Sequence, residues 1–415
     1  MRKAFNPGYA PAHLNSLLPL IVDRTKRFLA RMEKQAETEE VFELEELTTN
    51  LTFDIIGAVS LNMDMKAQAE PQARHPLVHG YGNLLSMFNA GSAAAIPLPR
   101  PIHKYKRNKI AKQVDLEVKK AVQKAFDDMK NKKDIGDVTD GRSVVELALR
   151  DVDVLTPQKL QETADQVKTF MFAGHDTTAT LLQNIFYMLS LHPKVQETLA
   201  KELDEVFGLD TSPDKIAEQL LQRGEEATRQ LQYTSAIIKE TLRVWPPAGS
   251  ARIVPKEDAF TVTDPRTGEQ VPLYGIVYLC HWLIQRDEAV YGPTAKQWIP
   301  ERWLGNTDTS MDDGSTTEKT DGASIPTSAW RPFERGPRNC IGQELANIEA
   351  RVIIACTARH YRFEKVGIGE KVWDENGNGV LNDLGVYKTQ TAMYAKHRVT
   401  SKPVDGMRGR LSFAR

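Results

Sequence analysis

The sequence predicts a mainly α protein with minor β, and three observations carry that prediction. Apolar residues recur at helical spacing through most of the first half. Strand-like alternation gathers in one stretch, 259–273. One apolar segment after Thr156 runs without a helix breaker as far as His192 and Pro193. The 415 residues are enough to bury one sizeable core, and the chain reads as a single domain over 1–415. Lys and Arg number 54 against 55 Asp and Glu, a net charge of −1, so no global field points to nucleic acid. Three cysteines, Cys280, Cys340 and Cys356, are too few for a disulfide framework and fit a reducing, intracellular compartment. No apolar run approaches the roughly 18 residues of a membrane-spanning helix, and no apolar signal core follows the first residues.

Taken in order, helices are expected over 14–32, 44–61 and 105–129, with polar surface breaks at 66–75 and 131–142. Next comes the long helix. Thr156 caps it, Pro157 takes a favoured first position, and His192-Pro193 stops it, about 50 Å away at 1.5 Å per residue. Its second half is apolar on several faces, as a helix packed on most sides would be. Residues 259–262 and 269–273, with Asp264-Pro265-Arg266-Thr267-Gly268 between them, read as a hairpin. The stretch 305–327 is polar and poor in apolar residues, which predicts a disordered surface insertion.

Chemistry concentrates in Phe333-Glu334-Arg335-Gly336-Pro337-Arg338-Asn339-Cys340-Ile341-Gly342. A loop dense in Gly and Pro leads to a cysteine, and Leu345, Ile348, Val352, Ile353 and Cys356 then keep one apolar face at helical spacing. Cys340 is thus expected at a helix N-terminus, where unsatisfied N–H groups favour thiolate, the form a metal needs. A lone cysteine beside a Gly-rich turn is more often a buried structural residue. With no companion ligands at cluster spacing, zinc and iron–sulfur sites do not fit, whereas a haem brings its other ligands with it.

The spacing Phe-x-x-Gly-x-Arg-x-Cys-x-Gly resembles the haem-binding loop of the cytochrome P-450 family. That resemblance implies Cys340 as the axial ligand of haem b iron, Arg338 as a haem-propionate partner, and Phe333, Gly336 and Gly342 as packing residues of the loop. It also implies the family's fold, here lacking its N-terminal part, since the match begins late and a fragment is expected. With that part go the usual membrane anchor and an upstream Trp and Arg, so haem is expected to be weakly held. Arg252 stands where the family often places another propionate-binding arginine.

Inside the long helix, Ala173-Gly174-His175-Asp176-Thr177-Thr178 breaks several local rules at once. Glycine, two β-branched residues and an acid interrupt apolar stretches. The Thr177 hydroxyl is expected to bond back to Ala173 and open a notch at Gly174. The segment resembles the family's oxygen-activation motif, which implies that Thr177 hydrogen-bonds the dioxygen being activated and Asp176 helps supply protons. His175 differs in helical phase from Thr177 and is read as structural. Glu240 and Arg243 stand three apart before Pro246-Pro247, a spacing usually seen in solvated surface bridges. By resemblance these two and Arg302, in Pro300-Glu301-Arg302-Trp303, form a structural ion network.

The function this implies is a haem-dependent monooxygenase acting with O2 on an apolar small molecule; the loop with Arg335 and Pro337 resembles those of fungal enzymes of secondary metabolism, which implies a polyketide or terpenoid substrate. No Gly-rich dinucleotide fingerprint follows a predicted strand, so electrons are expected from a separate partner, by resemblance NADPH-cytochrome P-450 reductase. Arginines at 331 and 335 are candidates for a face that meets it. Two alternatives stay open: a haem-thiolate isomerase or dehydratase needing no reductase, and a non-catalytic haem-binding remnant. The family resemblance points to the endoplasmic reticulum membrane, although no anchor stands in the sequence.

Overall fold

The computed structural model describes residues 2–88, 100–134, 142–264, 266–304, 318–320, 323–326, 328–397 and 399–414. They form two compact units, Met1–Ile238 with Ile341–Arg415, and Lys239–Cys340.

The first unit is helical. Leu44–Leu61 forms as expected from end to end and is buried on nearly all faces, from Asn50 through Leu61 without interruption. The expected helix over 14–32 is instead two, Pro11–Ser16 and Leu18–Thr38. Pro19 explains the break: it has no N–H to continue the first helix, but sits well in the first turn of the second. The helix expected over 105–129 runs longer at both ends, as Arg100–Asp134. Most of the polar break that follows, 135–141, lies outside the described residues.

The break at 66–75 is a loop, anchored by the buried Asp54. Its carboxylate accepts the amides of Ala67 at 2.7 Å and Gln68 at 3.2 Å, while Met65 and Ala67 are fully buried. The long helix spans Pro157–Leu191, with the Thr156 hydroxyl accepting the amide of Lys159 at 3.2 Å. From Thr178 onward every residue is buried, as a central element requires. A small antiparallel sheet, Phe42–Glu43, Arg408–Phe413 and Tyr361–Lys365, packs in this unit, and Ala395–His397 pairs with Ser401–Pro403.

The second unit holds the expected hairpin, Phe260–Thr263 against Gln270–Leu273, in register Val262↔Val271. A second antiparallel pair joins Ser250–Val254 to Gly275–Leu279. Of the expected insertion 305–327, residues 305–317, 321, 322 and 327 lie outside the described residues. Within it, Glu318–Thr320 pairs with Ala323–Ile325.

Candidate functional site

In the second unit, a Glu-x-x-Arg pair sets the frame. Glu240 and Arg243 are both completely buried, against the surface bridge their spacing suggests. Burying a charge is tolerable only when every donor and acceptor is met. Here all five guanidinium donors are used. Nε and Nη2 hold the Glu240 carboxylate at 2.8 Å each, Nη1 donates to the carbonyls of Gln285 and Ala295, and Nη2 also donates to that of Gln297. Glu240 further accepts the Ile299 amide and the Trp303 indole N–H, both at 2.9 Å, and Arg302 stands 3.5 Å away. A phenylalanine at 303 could not make that indole bond.

Behind this frame sits the cysteine loop. Trp303, Trp330 and Phe333 meet edge to face in a row, with ring centroids 6.0 Å apart at each step. The Phe333 carbonyl accepts the Cys340 amide at 2.8 Å, which closes the loop across its base. Gly336 turns it with φ of +78° and open space where a Cβ would point. Gly336 through Cys340 are exposed, and the Arg338 guanidinium makes no ion pair among the described residues. The following helix starts at Gln343 with Gly342 as its cap residue, so Cys340 precedes the cap by two residues rather than occupying the first turn.

Arg252, on the strand Ser250–Val254, is half exposed. Its Nη1 donates to the Ser250 hydroxyl at 2.7 Å and the Ala251 carbonyl at 2.9 Å, and its Nη2 lies 3.4 Å from Glu334. Burial works against the Glu334 charge, but the Ser250 hydroxyl and Arg331 hold its pKa below the usual carboxylate value. The site thus offers an exposed cysteine, a cation with no ion pair among the described residues and a partly committed one. No cluster of His, Cys, Asp or Glu among the described residues could hold a bare metal ion. This donor set fits a metal that arrives inside a macrocycle bearing carboxylates, as haem does.

In the first unit, the long helix places Ala173-Gly174-His175-Asp176-Thr177-Thr178. Ala173 is exposed and Phe172, Gly174 and Thr177 half-buried, while His175, Asp176 and Thr178 are buried. The Thr177 hydroxyl donates to the Ala173 carbonyl at 2.8 Å, as expected. Gly174 has another use than the expected notch: a Cβ there would meet the Ile56 side chain at 2.7 Å, so the missing side chain lets the helix Leu44–Leu61 approach. His175 sits among Phe53, Tyr81 and Phe172, donates through Nδ1 to the Met171 carbonyl at 2.7 Å, and is kept neutral by burial, a structural histidine.

Asp176 and Thr177 have different partners. Lys402 Nζ lies 2.5 Å from its Oδ1, and the Thr400 hydroxyl donates to its Oδ2. Lys402 also pairs with Glu45 at 2.8 Å. Burial alone would lower the Lys402 pKa, but the two carboxylates raise it above the usual value. Sequence reasoning missed Lys402, Thr400 and Glu45, because nothing local marks a lysine in Ser401–Pro403 as the partner of an acid more than two hundred residues earlier.

The family model described as Cytochrome P-450 matches residues 1–386. A cytochrome P-450 monooxygenase of Aspergillus aculeatus, acrF, is 35% identical over 373 residues, covering 88% of this chain and 72% of its own length. Another from Polytolypa hystricis, polC, is 30% identical over 370 residues, 87% of this chain and 62% of its own. A protein of Aspergillus niger named a self-sufficient cytochrome P-450 monooxygenase, CYP505E5, is 25% identical over 353 residues, 84% of this chain and 30% of its own.

Proposed function

The chain belongs to the cytochrome P-450 family and is an oxidoreductase of the monooxygenase type, and from there we propose that Cys340 holds haem b for insertion of one oxygen atom of O2 into an apolar organic substrate. The observation that carries this is the exposed Cys340, in a loop closed by the Phe333 carbonyl and flanked by Arg338, which makes no ion pair among the described residues. Haem, when bound, would supply oxygen activation, favoured by electron donation from a cysteine thiolate.

The protein's own residues do the rest. Arg338 and Arg252 bind the cofactor's carboxylates, and Phe333, Gly336 and Gly342 shape the loop that carries the sulfur. Thr177 Oγ1 has spent its proton on the Ala173 carbonyl, so its lone pairs are free to accept from a water and hold that water in line. Asp176, the preceding residue on the helix, helps supply the protons by way of the Lys402 and Thr400 groups that hold its carboxylate. The exposed Ala173 and half-buried Phe172 give that side of the helix an apolar contact for substrate.

Electrons come from a separate NADPH-dependent reductase inside the cell, and the substrate is one of secondary metabolism, a polyketide or terpenoid. Reconstitution with such a reductase tests this. NADPH and O2 should be consumed as oxygenated product forms. Product formed without NADPH would mean an isomerase or dehydratase, and no turnover with haem bound would mean a non-catalytic haem protein.

A further inference from the structure

Glu334 is a residue the loop should not choose. Its φ is +61°, in the left-handed region that is unfavourable for an ordinary L-residue and suits glycine or asparagine. The local backbone bond its side chain makes in that turn is from the Arg335 amide, at 3.2 Å. Its carboxylate is nevertheless nearly buried and engaged on both oxygens. Oε1 lies 3.2 Å from Arg331 Nη2 and accepts the Arg335 amide at 3.2 Å, while Oε2 lies 3.4 Å from Arg252 Nη2. The Ser250 hydroxyl reaches the same carboxylate.

Ser250 and Arg252 alternate along one strand and so share a face. Glu334 therefore joins that face to the loop two residues before Gly336. Arg252 is held from two sides, by Ser250 and Ala251 through Nη1 and by Glu334 through Nη2, and its Nε edge is not used by either. A guanidinium fixed in this way has lost much of its rotamer freedom before any ligand arrives, which is how preorganisation strengthens binding.

We propose that Glu334 is a positioning residue for the cofactor's carboxylate: it holds the Arg252 guanidinium oriented and ties it to the Cys340 loop, so that a haem propionate meets a preset partner. This rests on the haem-thiolate reading of Cys340. Strain at Glu334 persists because the ion pairs offset it.

The test is the rate of haem loss from the purified holoprotein to excess apomyoglobin, with the reduced carbon-monoxide spectrum recorded for each variant. Glu334→Gln keeps the shape and removes the charge, Glu334→Gly relieves the backbone, and Arg252→Gln removes the partner. Each should release haem about fivefold faster than wild type, and the Glu334→Gln/Arg252→Gln double variant no faster than Arg252→Gln alone, because coupled residues are non-additive. All should keep the thiolate Soret band. Wild-type loss rates in Glu334→Gln, haem held as well or better in Glu334→Gly, or effects that multiply in the double variant would overturn the proposal while leaving the Cys340 reading intact. A wild-type protein without the thiolate band would overturn both.

Discussion

Lys402 sets its ammonium 2.5 Å from Asp176 and 2.8 Å from Glu45, so that one cation on a strand near the end of the chain bridges two acids on two helices. Asp176 is 1% exposed, and the Lys402 side chain 11%. Removing one partner of such a pair strands the other without solvent. Lys402→Met should therefore cost about 3 kcal/mol of stability, with part of the loss regained in Lys402→Met/Asp176→Asn. Chemical denaturation of the three proteins measures this. A Lys402→Met variant as stable as wild type would remove the bridge from the account.

The Glu240–Arg243 pair makes a stricter demand. Its guanidinium uses all five donors in a planar fork, which an ammonium cannot reproduce. Arg243→Lys should accordingly destabilise by about 3 kcal/mol or more, close to Arg243→Ala, and the soluble yield of both should fall. Recovery of folded Arg243→Lys at wild-type yield and stability would contradict the geometry.

At Gly174 the prediction concerns packing. Gly174→Ala places a methyl 2.7 Å from the Ile56 side chain and should cost about 1–3 kcal/mol. Ile56→Val in the same chain should recover part of that cost, which thermal unfolding of the single and double variants would reveal. If Gly174→Ala is neutral, the helices are not in the close contact described.

Burial pushes the Cys356 thiol up to about 12, from an ordinary value of 9.0. The folded chain keeps this proton over a pH range in which the unfolded chain loses it. Its contribution to stability is present below the lower value and is lost as pH rises from about 9 towards 12. Relative to Cys356→Val, the wild type should lose about 1.4 kcal/mol of unfolding free energy per pH unit within that window. Unfolding free energies that fall in parallel for the two proteins would show that the thiol titrates normally.

Much of this was legible in the sequence, for reasons that differ by element. Leu44–Leu61 shows in its apolar pattern, and Pro157–Leu191 announces both ends through a Thr cap, a first-turn proline and a terminal proline. The hairpin Phe260–Thr263 with Gln270–Leu273 declares itself through its turn residues. The Cys340 segment and the Thr177 back-bond were visible because the residues involved are close together along the chain. What was hidden depended on contacts distant in sequence. The depth of Glu240 and Arg243 comes from carbonyls at 285, 295 and 297, the use of Gly174 from Ile56, and the partners of Asp176 from Thr400 and Lys402. The split at Leu17 is written in Pro19, whose missing N–H interrupts an otherwise unbroken apolar pattern.

The central claim is that the exposed sulfur of Cys340 is the iron ligand, and the reduced, carbon-monoxide-bound spectrum tests it most directly. Wild type, Cys280→Ala and Cys356→Ala should all give the red-shifted Soret band of a thiolate ligand, and Cys340→Ala should lose it. A band that survives in Cys340→Ala, or an imidazole-type spectrum in the wild type, would contradict the assignment.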